Sequence, residues 1–132
     1  TWKNDAMSEG QRDTLREFLH NTQEVGSVII PQRGDSSIVA TGFDRPIGFL
    51  FIDGDHSYAG AREDVDAWLG RLEPGGAILL HDIGWATGVQ RVVQEEILPR
   101  CSRTLCLPNL FCGWLRDETE VARFVLRKSQ PQ

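Results

Sequence analysis

The stretch FLFIDGDHSY, residues 49–58, joins an apolar run to a cluster of acids, glycine and histidine. The apolar run over 47–53 is long enough to form a strand that is buried on both faces. Asp53, Asp55 and His56 lie at and just beyond the end of this run, with a glycine between the two acids. Polar groups at the end of a buried strand are typical of a binding cleft, so these three side chains are candidates for a functional site.

A second apolar run repeats this arrangement further along the chain. AILLHD, residues 77–82, predicts another buried strand, which ends in His81 and Asp82. The intervening residues 58–72 predict an amphipathic helix, because their apolar side chains recur at helical spacing. Strand, helix and strand in this order favour a parallel sheet, in which ligands bind beyond the carboxyl ends of the strands. We therefore expect both polar clusters to meet at one rim of the sheet.

The remaining patterns predict a single α/β domain over residues 1–132. Residues from 117 to 132 form a polar, weakly patterned tail. Apolar periodicity, turn residues and caps predict the other elements. These are a helix over 8–21 that Ser8 can cap, helices over 36–41 and 89–97, a turn at 74–76, and strands over 27–31, 103–107 and 110–116. The charged run 62–66 is expected to form a solvated face of the helix over 58–72.

Composition and charge exclude several classes of function. The net charge of −5 argues against nucleic-acid binding, which requires a basic surface. No apolar run approaches the ~20 residues of a membrane span. The three cysteines, Cys101, Cys106 and Cys112, lack the paired spacing of a zinc site and indicate reduced thiols in a cytoplasmic protein.

The block FLFIDGDHSYAGAREDVDAWLGRLEPGGAILLHD, residues 49–82, resembles the fourth-to-fifth-strand segment of class I S-adenosylmethionine-dependent methyltransferases. It is especially similar to the group related to macrolide-sugar O-methyltransferases and cephalosporin hydroxylase. The resemblance covers roughly residues 1–116. It implies an incomplete Rossmann-like sheet with strands equivalent to the family's third to seventh, mostly parallel with an antiparallel last strand. It also implies methyl transfer from S-adenosylmethionine to a hydroxyl oxygen of a small molecule.

Two cofactor-binding parts of this family have no counterpart in the sequence. The glycine-rich loop after the first strand is absent, and so is the acid of the second strand; Gly10 follows no strand. The family's first strand normally lies between the strands that correspond here to 27–31 and 47–53. We therefore expect the chain to be a fragment of a longer enzyme. The alternative is a non-catalytic remnant whose open sheet is completed by a partner, such as a second copy in a homo-oligomer.

The resemblance implies a metal site at the ends of the fourth and fifth strands. Asp53 matches the position that binds a divalent cation beside the transferred methyl group, and Asp82 matches the second acid. His81 stands where relatives often carry another acid. Mg²⁺ would suit carboxylate ligands and would orient the acceptor hydroxyl. Asp53 could instead cap the following helix, and His81 could support Asp82 or form a backbone hydrogen bond.

The resemblance also assigns a base and cofactor contacts. His56 matches the position of the general base in some sugar O-methyltransferases, and its alternative role is a hydrogen bond to Asp53 or Asp55. Asp35 and Ser36 match the turn near the adenine ring, and either side chain could also cap the helix over 36–41. The resemblance also places Asp53 among the residues that contact the cofactor. A metal-dependent phosphohydrolase would explain the acids but not the pattern that follows them.

Overall fold

The structure, a computed structural model, describes residues 13–117. This part of the chain forms four α-helices and four strands, with short 3-10 and π-helical turns beside them. In chain order they are α1 (Thr14–Asn21), α2 (Ser36–Thr41), β1 (Ile47–Ile52), α3 (Tyr58–Trp68), β2 (Leu72–His81), α4 (Thr87–Val92), β3 (Cys101–Leu107) and β4 (Leu110–Leu115). No helix among these residues is long and apolar enough to cross a bilayer.

The strands form one mixed sheet with the order β1–β2–β4–β3. β1 and β2 are parallel, and β4 is antiparallel to both of its neighbours, β2 and β3. β3 therefore runs in the same direction as β1 and β2. The predicted α/β class, with a mostly parallel sheet and an antiparallel last strand, is confirmed.

The strand predicted over 27–31 does not form. Gln23–Val28 is a 3-10 helix, and Ile29, which follows it with extended backbone angles, belongs to no ladder. An extended segment is stable only when its backbone groups find partners, and within residues 13–117 β1 pairs with β2 alone. In the described part of the chain the outer edge of β1, where the resemblance places a first strand, is thus unpaired, and the 27–31 segment has no strand to join there.

Several element boundaries also differ from the prediction, and two of them have a clear physical reason. The described part of the 8–21 helix begins at Thr14, where the side chain of Asp13 accepts the backbone N–H of Arg16; the predicted cap, Ser8, lies outside the described residues. β2 begins at Leu72 and runs through the predicted turn at 74–76. The backbone of this segment is irregular, with a φ of +78° at Gly75. The pairing with β1 shifts register opposite it, between Ile47 and Phe49.

One face of the sheet is covered by α3 and α4. Ile78 and Leu80 of β2 are 0% and 1% exposed and belong to one core cluster with Val65 of α3 and Val92 of α4. Side chains alternate between the faces of a strand, so the intervening residues point away from these helices. The helices thereby fix which face of each strand becomes the core.

Candidate active site

The carboxyl ends of β1 and β2 bring the two predicted polar clusters together. The Nδ1 atom of His81 lies 3.2 Å from Oδ1 of Asp82 and 3.6 Å from Oδ1 of Asp53. One potential ligand atom from each of these three residues lies within 4.8 Å of the others. The expected convergence on one rim is therefore observed, because parallel neighbouring strands end at the same edge of the sheet.

His56 pairs with Asp82, a partner that the sequence did not suggest. Its Nε2 lies 2.7 Å from Oδ2 of Asp82. Asp55, one of the two expected partners, instead accepts the backbone N–H of Ser57 at 2.8 Å, which lowers the pKa of the Asp55 carboxyl. Ser57 in turn caps α3 by accepting the N–H of Gly60. These local bonds shape the turn that carries His56 toward β2.

The loop with His56 also packs closely on α4. A Cβ atom on Gly88 would lie 2.4 Å from the backbone nitrogen of Tyr58 and 2.6 Å from the carbonyl oxygen of His56. Only a glycine permits this approach without displacement of backbone atoms. Close packing here, together with the cap of α3, holds His56 above the end of β2.

The Asp82 carboxylate accepts two hydrogen bonds at Oδ1 and faces His56 at Oδ2. Oδ1 accepts from Nε1 of Trp85 at 2.8 Å and Nδ2 of Asn109 at 3.1 Å, and it also faces His81. Desolvation of the largely buried carboxyl opposes ionisation. The hydrogen bonds outweigh it and lower the pKa of Asp82 to about 2. Asp82 is therefore a carboxylate at neutral pH.

The backbone of Asp82 turns sharply where β2 ends. Its φ of +63° lies in the left-handed region, which aspartate tolerates better than most residues. Its N–H donates to the carbonyl of Asn109 at 3.0 Å, and its carbonyl accepts the N–H of Ala86 at 2.9 Å. The turn redirects the Asp82 side chain toward His56 instead of along the strand.

Trp85 stands beside His56 with much of its ring in solvent. Its side chain is held by the bond to Asp82, its ring centroid lies 4.9 Å from that of His56, and the residue is 60% exposed. The two rings meet edge to face. The bond to Asp82 thus fixes an exposed aromatic surface beside the His56 imidazole.

Asp35 and Ser36, the two residues predicted to lie near the adenine ring, make different local contacts. Asp35 caps α2, and the Ser37 hydroxyl and the Ile38 N–H lower its pKa. Ser36 accepts the indole N–H of Trp68 at 2.8 Å. Ser36 and Asp53 line one groove of about 510 Å³ that follows the outer edge of β1. The cap interpretation of Asp35 therefore holds, and Ser36 and Asp53 share a cleft.

Sequence reasoning missed two further groups. Asp64 was predicted to lie on a solvated helix face, but it is only 8% exposed and lines the groove opposite Gly54. Residues three apart lie on the same face of a helix, so the spacing of Asp64 from the buried Ala61 indicates that its side chain points inward. Asn109 lies far from Asp82 in sequence, so no local pattern could connect them.

A comparison with known families gives one match. A family model described as a methyltransferase domain matches residues 2–83, more than half of the 132-residue chain. The matched segment contains β1, α3, β2 and every site residue that the sequence predicted. Asn109 lies beyond it.

Proposed function

The chain belongs to the methyltransferase-domain family, and from that premise we propose that it serves methyl transfer from S-adenosylmethionine to a hydroxyl oxygen of a small molecule. Within the family we assign it to the group related to macrolide-sugar O-methyltransferases and cephalosporin hydroxylase. The observation that carries the proposal is the His56–Asp82 pair at the rim of the sheet. A cytoplasmic location is part of the same proposal and agrees with the three free thiols.

The tautomer of His56 supports its role as the general base. A carboxylate accepts hydrogen bonds only, so the short contact with Asp82 requires a proton on Nε2 of His56. Nδ1 of the neutral ring then carries the lone pair, and it has no hydrogen-bond partner among residues 13–117. In this proposal Nδ1 takes the proton from the acceptor hydroxyl. The Asp82 carboxylate stabilises the imidazolium that results.

The groove along β1 suits the nucleoside part of the cofactor. Phe49 and Phe51 supply apolar surface, and Ser36 and Asp53 supply hydrogen-bonding oxygens. When bound, S-adenosylmethionine would supply an electrophilic methyl group on a sulfonium centre. In this proposal the residues of this chain orient the acceptor beside Trp85, and His56 removes its proton.

A divalent cation is a further part of the proposal. Asp53, His81 and Asp82 offer a ligand set of two carboxylates and one imidazole, and Mg²⁺ at these residues would lower the pKa of a bound hydroxyl. Oδ1 of Asp82 already accepts from Trp85 and Asn109, so a cation bound to that oxygen must displace one of these donors. We expect Mg²⁺ to raise the thermal unfolding temperature of the protein and Asp53→Asn to remove that rise. An equal rise in the variant would contradict a metal role for Asp53.

The function is tested by transfer of a labelled methyl group. The protein is incubated with methyl-labelled S-adenosylmethionine and a panel of hydroxylated sugars and phenols, and binding of the cofactor is measured separately by calorimetry. We expect His56→Ala to reduce transfer by about 10²- to 10⁴-fold, the usual contribution of a general base, and to leave cofactor binding unchanged. Because this sequence lacks the family's glycine-rich loop and second-strand acid, both assays use a protein in which that N-terminal portion is supplied. Failure of that protein to bind S-adenosylmethionine would refute the proposal.

One observation favours a second function. Within residues 13–117 the outer edge of β1 is unpaired, and an apolar sheet edge is a template for another strand. In this alternative the chain is a non-catalytic member of the family, and β1 pairs antiparallel with β1 of a second copy. Sedimentation would then show a dimer that Phe49→Lys dissociates. A monomer at every concentration would eliminate this function.

A further inference from the structure

We propose that Asn109 is a positioning residue of the active site and acts on His56 through Asp82. The inference rests on the proposed role of His56 as the base. Asn109 lies in the two-residue turn between β3 and β4, outside the segment that the family comparison matches. A hairpin far from the site in sequence would then determine which nitrogen of His56 is available for proton transfer.

Asn109 makes three hydrogen bonds to the loop that follows β2. Its backbone carbonyl accepts the N–H of Asp82 at 3.0 Å. Its side-chain Oδ1 accepts the N–H of Gly84 at 3.2 Å, and its Nδ2 donates to Oδ1 of Asp82 at 3.1 Å. One residue therefore holds both the backbone and the carboxylate of Asp82.

The chemistry of these contacts requires an amide. The group facing Gly84 must be an acceptor because it meets a backbone N–H, and the group facing Asp82 must be a donor because it meets a carboxylate. In the opposite orientation of the Asn109 amide, its NH₂ group would face the N–H of Gly84 and its oxygen would face the carboxylate of Asp82, so neither hydrogen bond could form. Aspartate has the same shape, but at neutral pH it cannot donate to Asp82.

The hairpin turn is itself held in register against the loop. The β2–β4 ladder ends at the pair His81 and Leu110, directly beside Asn109. A Cβ atom on Gly84 would lie 2.3 Å from the carbonyl oxygen of Pro108, so the two backbones are already in contact. Asn109 thus approaches Asp82 from a rigid ladder, which gives the carboxylate little freedom to rotate.

The consequence for His56 follows from the two oxygens of Asp82. Asn109 and Trp85 occupy Oδ1, which leaves Oδ2 directed at Nε2 of His56 at 2.7 Å. With Oδ2 in this position, His56 keeps its proton on Nε2 and its lone pair on Nδ1. Loss of the Asn109 donor allows the carboxylate to turn, and the imidazole then exchanges between its two tautomers.

The test compares Asn109→Asp with Asn21→Asp at one neutral pH. Asn21 ends α1 and is exposed, so its variant reproduces the change of charge away from the site. Nitrogen-15 NMR of the imidazole rings reports the tautomer without any need for turnover. We expect the Nε2–H tautomer of His56 in the wild type and in Asn21→Asp, and a mixture of tautomers in Asn109→Asp. Under the same conditions kcat for methyl transfer should fall about 10- to 100-fold in Asn109→Asp, the range for a supporting partner, with KM within about twofold.

Each outcome decides between the two proposals. A wild-type tautomer signal in a folded Asn109→Asp protein would overturn the role of Asn109. A mixture of tautomers in Asn109→Asp, together with a wild-type protein that transfers no methyl group, would support the positioning role of Asn109 and refute the proposed function. Should Asn109→Asp not fold, Asn109→Ala removes the same donor without adding a charge, and an unchanged tautomer in that variant would equally overturn the inference.

Discussion

The two faces of the sheet are made of equally apolar side chains, but they have opposite surroundings. On the face that α3 and α4 cover, Ile78 and Leu80 are sealed from solvent. On the opposite face, Phe49 and Phe51 of β1 are 61% and 50% exposed. Strands that are apolar on both faces are typical of sheets covered on both sides. The strands therefore have sequences typical of a sheet with both faces covered, whereas the helices within residues 13–117 cover only one face of this sheet.

The active-site rim shows the same contrast. Asp53 and His81 follow the alternation of Phe51 and Leu79 and lie on the bare side, where each side chain is nearly half exposed. Asp82 turns away from that side and is held by the hairpin and by Trp85. The anchored residue, Asp82, is therefore the one that orients His56, and the exposed side supplies the other two residues proposed for the cation, Asp53 and His81.

The largest expected difference between the faces is in core packing. Leu80→Ala removes a side chain that is 1% exposed and should lower the free energy of unfolding by about 2–5 kcal/mol. Leu79→Ala, one residue earlier and on the opposite face, is the matched control and should cost about 1 kcal/mol, because much less transfer free energy and no closed cavity are involved. Chemical denaturation measures both. Equal losses would mean that the bare face is covered in solution.

A smaller difference is expected between two glycines. Gly84→Ala places a methyl group against Pro108 and should cost about 1–3 kcal/mol through forced displacement of the loop. Gly70→Ala meets no atom within 4 Å and should be neutral or stabilising by about 0.5 kcal/mol. The same denaturation experiment compares them. A neutral Gly84→Ala would show that the loop and the hairpin turn are not in close contact.

The bare face should tolerate polar substitution. Phe49→Ser should change the free energy of unfolding by less than about 1 kcal/mol and should lower light scattering at high protein concentration, because it interrupts an exposed apolar patch. Phe111→Ser, on the covered face, is the matched control and should destabilise strongly. Strong destabilisation by Phe49→Ser would place an occupant on the bare face.

The smallest effect concerns acid stability at the rim. The folded-state pKa of Asp82, about 2, lies below the model-compound value of 3.8. Its ionisation therefore stabilises the fold above pH 3.8, and this contribution is lost as the pH falls toward 2. Thermal unfolding from pH 5 to pH 2 should show a shallower loss of stability in Asp82→Asn than in the wild type. Asp44→Asn, at an exposed position, controls for the change of charge, and identical slopes in all three proteins would contradict the assignment.

Local patterns were sufficient for the parts of the site that lie on single elements. The apolar runs ending at Asp53 and Asp82 predicted two parallel strands and their common rim. The cap at Asp35 followed the preference of short polar side chains for helix starts. The residue that caps α3 is Ser57 and not Asp53, the alternative that the sequence suggested. These features depend on neighbours within a few residues, which a sequence displays directly.

Contacts between distant segments were outside the reach of such patterns. The 27–31 segment has the composition of a strand, yet pairing needs a neighbour that composition does not reveal. The partner of His56 proved to be Asp82 rather than an adjacent acid, because two strand ends meet in space. Asn109 completes that arrangement from a hairpin beyond both.

The sequence by itself determined where strands end in acids and imidazoles, since apolar periodicity and helix capping are properties of consecutive residues. Only the tertiary structure decided which oxygen faces which nitrogen and which face of the sheet is covered. Those outcomes depend on the register of the ladders and on the left-handed turn at Asp82, which are set by packing between segments far apart in the chain.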